Sequence, residues 1–204
     1  MYLISTPRII KRCLPRLQWE MPAGGKNIYL TFDDGPHPEI THQILSILEE
    51  FQAKSTFFCL GKNAQKHPEI IDKIIKNNHT VGSHTFHHLN GWKTKTTDYI
   101  QDVFSAANLL DTCLFRPPYG RLRPSQIRSI ASHLDIFMWS VLSGDFDQNI
   151  SPQKCLSNCL RHTRDGSIIV FHDSEKAAKN MLYTLPRLLE HFAIQGFSFR
   201  ALPS

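Results

Sequence analysis

The chain has 204 residues, of which 41% are hydrophobic and 20% charged, and it carries a formal net charge of +5. That size and balance suit one globular domain with a sizeable core. The positive charge favours anionic surfaces or polymers, but the lysines and arginines are scattered and form no nucleic-acid-binding motif, so no nucleic-acid partner is expected.

The first stretch, "MYLISTPRIIKRCLPRLQWE", is basic and has no apolar run long enough for a signal peptide or a membrane span. Residues 1–25 therefore read as an arm packing on a domain of residues 26–204. The expected location is cytoplasmic, with the cell envelope as the alternative. Five cysteines, Cys13, Cys59, Cys113, Cys155 and Cys159, form an odd, widely spaced set. This argues against a disulfide framework and for reducing surroundings. Cys155 and Cys159 lack the further pair a zinc site needs and read as small buried residues.

Strand-type runs are expected at 27–32, 54–60, 79–84, 113–118, 135–142, 167–172 and 197–202. Helix-type patterns fall between them at 38–51, 68–77, 97–111, 124–133, 151–162 and 175–191. Pro38, Pro68 and Pro152 stand near helix starts, where proline is tolerated. Alternating strand and helix implies parallel βαβ units, hence the α/β class. Asp33–Asp34, His84, Arg116, Asp145 and His172 all fall at or just beyond the C-terminal ends of their strands. In a barrel those ends share one mouth, so the expected architecture is a distorted (β/α) barrel of about seven parallel strands.

The stretch "TFDDGPHPEIT" sets Asp33 beside Asp34, and each raises the cost of ionising the other unless a cation or a proton intervenes. The segment "SHTFHH" supplies His84, His87 and His88. His84 can share one metal ion with His88, four residues on, or with His87, three on. One carboxylate and two histidines, with positions left for water, make a catalytic set, which frees the second aspartate to act as a base. The other histidines, at 37, 42, 67, 79, 133, 162 and 191, show no ligand spacing.

"TFDDGP", "HTFHH", "RPPYG" and "IIVFHD", in that order and strand context, resemble the polysaccharide deacetylase family, the NodB-homology or carbohydrate esterase family 4 enzymes. The resemblance runs from about Asn27 to the C-terminus. It implies a distorted barrel with fewer than eight strands, N-deacetylation of amino-sugar glycans such as chitin or peptidoglycan, and a divalent metal, most often zinc, with cobalt or nickel as alternatives. By matched position, Asp33 resembles the general base and Asp34, His84 and His88 the metal ligands, which leaves His87 as a loop residue. Arg116 resembles the residue that orients the base, the Tyr119 backbone N–H the oxyanion donor, and His172 the general acid. "SGDFD" departs from the family pattern. Asp145 matches its aspartate and should polarise His172, but Phe146 replaces a tryptophan and Leu142 an earlier aspartate. Trp139, Phe146 and either Ile169 or Val170 are the candidates to rebuild the apolar wall. The alternatives are a deacylase of a small or lipid-linked N-acetyl sugar, and a silent carbohydrate-binding module.

Overall fold

The computed structural model describes residues 2–203. The described residues form eight strands and eight α-helices, alternating except where two helices follow β2 and where β5 runs directly into β6. The strands are β1 (Asn27–Asp33), β2 (Ser55–Cys59), β3 (Thr80–Ser83), β4 (Leu114–Phe115), β5 (Asp135–Ile136), β6 (Val141–Leu142), β7 (Ile168–His172) and β8 (Ser198–Phe199). The helices are α1 (Arg8–Cys13), α2 (Ile40–Glu50), α3 (Gly61–Lys66), α4 (Pro68–Lys76), α5 (Thr96–Leu109), α6 (Pro124–Ile130), α7 (Pro152–His162) and α8 (Glu175–Ile194). Seven strands run parallel in the order β5-β4-β3-β2-β1-β7-β6, and β8 pairs with the start of β1. The chain is thus a single α/β unit with seven parallel strands curled into a distorted barrel.

β1 lies at the centre of this order and is covered on both faces, which is why "NIYLTF" reads as a nearly continuous apolar run. Side chains alternate along a strand, so Ile28, Leu30 and Phe32 share one face and Thr31 and Asp33 the other. The first face packs under α2 and α8 among Ile44, Leu48, Leu185 and Leu188, all fully buried. The second face points into the barrel, where Thr31 Oγ1 donates to the Ile169 carbonyl at 2.7 Å. Each such large core side chain contributes roughly 1.5–3 kcal/mol by burial.

The run 135–142, expected as one strand, is two. β5 pairs with β4 at one edge of the sheet and β6 with β7 at the other. Residues 137–140 cross between the edges and close the ring. The Arg116 guanidinium takes the carbonyls of Phe137 (Nε, 3.3 Å) and Met138 (Nη2, 2.8 Å), so these two groups bond inward and leave the strand ladder. The arm seals the same seam. Leu142 N–H donates to the Ile4 carbonyl and Thr6 N–H to that of Ser140, an antiparallel pairing beside β6. Leu17 and Trp19 are buried with Tyr99, Phe115 and Ile136, so the arm also supplies core. Its helix α1, and α3 after β2, carry too little periodicity in six residues to be read from the sequence.

Gly166 fastens the arm to the turn before β7. Its φ is +79°, a Cβ there would lie 2.2 Å from the Met21 carbonyl oxygen, and its own carbonyl accepts from Met21 N–H at 2.8 Å. Gly166→Ala is therefore expected to cost about 2 kcal/mol or more and to lower Tm by roughly 5 °C, measured by thermal unfolding.

Candidate active site

Asp33, Asp34, His84, His88, Tyr119, Trp139, Phe146, Val170 and His172 line one cavity of about 640 Å³ at one end of the barrel, with Arg116 and Asp145 fully buried behind Asp33 and His172. Its floor is the Arg116–Asp33 pair. Arg116 is fully buried, and its Nη1 donates to Asp33 Oδ1 at 2.8 Å and also to Thr31 Oγ1. The guanidinium stacks 4.2 Å from the centroid of Phe58. With Nε and Nη2 bound to backbone carbonyls, the charge is hydrogen-bonded on every side, as a buried cation must be. Burial presses its pKa downward against the opposing pull of Asp33.

Beside this pair stand Asp34, His84 and His88, with one ligand atom from each lying within 4.8 Å of the others. Asp34 Oδ1 is 3.1 Å from His88 Nε2 and 3.8 Å from His84 Nε2, yet it is buried and accepts no well-directed hydrogen bond. A buried carboxylate oxygen without a donor, facing two imidazole nitrogens, fits a divalent cation. Burial would raise the Asp34 pKa, but the His88 ring nitrogen 3.1 Å away and the charges of His172, His84 and His88 more than offset this and hold it well below the usual range. His84 is moved to about 4, chiefly by burial and against the pull of Asp33 and Asp34, so its ring is neutral at pH 7. Its Nδ1–H donates to the Arg116 carbonyl at 2.8 Å, which leaves Nε2 as a free ligand atom.

The backbone here is held in conformations that side chains disfavour. Asp34 (φ +84°), Thr85 (+65°), His88 (+61°) and Tyr119 (+60°) all lie in the left-handed region. Such residues persist only where their surroundings over-determine them. Asn63 of α3 donates to the Asp34 carbonyl at 2.8 Å. Buried Asp102 of α5 accepts from the backbone of Phe86 and His87. Asp102 also takes the His87 ring, with Nδ1 at 2.5 Å, which turns that exposed histidine away from Asp34. His88 remains at the cluster and meets Tyr119 edge-on, ring centroids 4.7 Å apart.

Across the cavity, His172 Nδ1 lies 2.8 Å from Oδ1 of fully buried Asp145, whose Oδ2 accepts the His172 backbone N–H at 2.7 Å. Burial lowers the imidazolium's pKa, but the Asp145 charge and hydrogen bond, followed by the charges of Asp34 and Asp33, raise it to about 9. Phe146 packs edge-on against His172 at 5.2 Å, and Trp139, Leu142 and Val170 line the same wall. Ile169 is absent from that lining and packs into the core under α2 and α8. The neighbouring Asp173 is pushed up to about 8 by burial, although Thr41 donates to it at 2.7 Å and lowers it.

The arm supplies wall residues that no sequence signal marked. Tyr2, Leu3, Thr6 and Ile10 line the cavity. The Tyr2 hydroxyl donates to Asp147 at 3.0 Å, and its ring lies 5.0 Å from Phe146, filling space beside the smaller aromatic. Lys176 and Ser174, at the start of α8, were likewise unmarked, because only their fold neighbours bring them to the rim.

A parallel barrel with a cation-ready Asp-His-His cluster, an ion-paired aspartate and an aspartate-held histidine at its mouth has the construction of a metal-assisted hydrolase. Comparison gives the family. The polysaccharide deacetylase family model matches residues 20–139. A peptidoglycan-N-acetylglucosamine deacetylase of Bacillus cereus is 30% identical over 191 residues, covering 90% of this chain and 69% of its own. A chitooligosaccharide deacetylase of Azorhizobium caulinodans is 33% identical over 199 residues, covering 87% and 93%. A crystal structure of a peptidoglycan N-acetylglucosamine deacetylase in complex with 4-naphthalen-1-yl-N-oxidanyl-benzamide superposes with a TM-score of 0.87 at 29% identity, covering 92% and 91%. The chain belongs to the polysaccharide deacetylase family. No helix among the described residues is long and apolar enough to cross a membrane.

The His172–Asp145 pair sets a titration. The folded value of about 9 lies above the ordinary 6.5, so the pair's contribution to stability is full below pH 6.5 and is lost as pH rises through 9. In metal-free protein, NMR titration is expected to find the His172 ring still protonated at pH 8. Asp145→Asn should bring its midpoint down by more than a unit.

Proposed function

We propose that the protein hydrolyses N-acetyl groups on amino-sugar glycans, with a divalent cation held by Asp34, His84 and His88. The observation that carries this reading is the orphaned Asp34 oxygen facing two imidazoles, directly beside an aspartate fixed by a buried arginine. A neutral-imidazole and carboxylate set suits zinc, and cobalt or nickel would bind the same atoms. When bound, the cation polarises the amide carbonyl and makes water a better nucleophile.

The protein's own groups supply the rest. Asp33, fixed by Arg116, takes a proton from the attacking water. The backbone N–H of Tyr119 steadies the carbonyl oxygen as negative charge grows on it. His172, kept protonated beside Asp145, gives its proton to the departing amine. Trp139, Phe146 and Val170 enclose the acyl group. A silent binding module would have no need of an unpartnered buried carboxylate oxygen held against two imidazoles at this mouth. The largely apolar wall from the arm favours, as a second reading, a small or lipid-linked N-acetyl sugar. A cytoplasmic location is a separate proposal; five free cysteines support it and cell fractionation tests it.

Purified protein stripped by chelator and reloaded with zinc is assayed for acetate release from chitin oligomers, peptidoglycan and small N-acetyl sugars. Activity should vanish on stripping and return on reloading, with the glycans turned over faster than the small sugars. Asp34→Ala and His88→Ala should lose the metal, while His87→Ala keeps about one equivalent. The reverse result for the two histidines would overturn the ligand assignment.

A further inference from the structure

Outside the metal cluster, a row of side chains leads from His88 to the surface. Tyr119 touches His88, and the Arg121 guanidinium lies 5.8 Å from the Tyr119 ring centroid and 5.1 Å from that of Trp92. Trp92 and Tyr119 are 58% and 57% exposed, unusually so for large aromatic side chains. Arg121 lines the mouth of the cavity, and among the described residues its side chain has no carboxylate partner and makes no hydrogen bond.

The loop carrying Trp92 is fixed before any ligand arrives. The Trp92 indole N–H donates to the Leu122 carbonyl at 3.1 Å, its backbone N–H donates to Asn90 Oδ1 at 3.0 Å, and its carbonyl accepts from Arg123 at 2.6 Å. Buried Gln126 donates to the Gly91 carbonyl at 2.9 Å. A Cβ at Gly91 would lie 2.3 Å from the Arg121 carbonyl oxygen, so the two loops are in close backbone contact. Trp92 is therefore held open to solvent by the scaffold, beside exposed Tyr119 and half-buried Arg121, which is how preorganised binding surfaces are built.

We infer that Trp92, Arg121 and Tyr119 form a sugar-binding subsite for the unit next to the N-acetylated one in a glycan chain, with Arg121 selecting a carboxylate on that unit. The inference rests on the deacetylase reading above and extends it to the form of the substrate. An indole or phenol face presents negative π density to the slightly positive C–H face of a pyranose ring, at little entropic cost because the aromatic side chain is rigid. A guanidinium with its fork unoccupied accepts a carboxylate through two parallel hydrogen bonds. Continuity with the reacting cavity and charge complementarity both point to an acidic saccharide.

The test compares kcat/KM for acetate release from N-acetylglucosamine and from its pentamer, using zinc-loaded wild type, Trp92→Ala, Trp92→Phe and Arg121→Gln. Trp92→Ala should lose about tenfold on the pentamer, through KM, and stay within twofold of wild type on the monosaccharide. Trp92→Phe, which keeps a ring but not the indole bond to Leu122, should recover most of the loss. Equal losses on both substrates, or none, would overturn the subsite. Arg121→Gln should abolish any preference for a carboxylate-bearing glycan over the same glycan with its carboxyls reduced; a preserved preference would remove the acidic part of the inference. If wild type releases no acetate from any substrate, the deacetylase reading fails, and calorimetric binding of the pentamer still decides the subsite. Binding about tenfold tighter to wild type than to Trp92→Ala sustains it, and equal binding ends it.

Discussion

A buried arginine organises this protein. Arg116 leaves the end of a two-residue strand and enters the barrel with no contact with solvent. There it joins three parts of the chain that are distant in sequence: the central strand through Thr31 and Asp33, the closing segment through Phe137 and Met138, and the second strand through the face of Phe58. Burying a guanidinium is expensive, and the cost is offset only when every donor is satisfied. Here that condition dictates the local fold. Two carbonyls must turn inward, and so the fifth strand breaks where it does. Removing one partner of such a pair commonly costs about 3–5 kcal/mol, which makes the ion pair as much a structural clamp as a part of the site.

From that clamp the rest of the mouth is built outward by second contacts. Asp102 holds the backbone of the histidine loop, Asn63 holds the Asp34 carbonyl, and Asp145 fixes His172 by both ring and backbone. The strained φ values at Asp34 and His88 show what this scaffolding is for. Two of the three candidate ligands sit in backbone conformations that a free chain would abandon, and the supporting bonds place their ligand atoms in reach of one ion.

Much of this was legible because chemistry-bearing residues are punctuated by strand ends. The runs around 27–33, 55–59 and 168–172 are β-branched and aromatic because they are buried on both faces, so strand type and parallel class followed, and Asp33 and His172 at the ends of the first and last of these runs marked the mouth. Spacing alone could not choose between His87 and His88, because that choice is made by Asp102, fifteen residues away on a helix. The split of 135–142 was equally hidden, since its cause is a side chain from another strand. The arm's place over the cavity depends on backbone pairing with Ser140 and Leu142, which leaves no pattern in residue type. The substitution of phenylalanine at position 146 was visible; that Tyr2 fills in beside it was not.

The account assigns different tasks to the two adjacent aspartates, the ion-paired Asp33 moving a proton and the orphaned Asp34 holding a cation. Measuring bound zinc and acetate release together in Asp33→Asn tests this most directly. The account predicts a full equivalent of zinc and a kcat lowered about 10²–10⁴-fold, the usual loss for a general base. Loss of the zinc, or turnover near that of the wild type with the zinc in place, would contradict it.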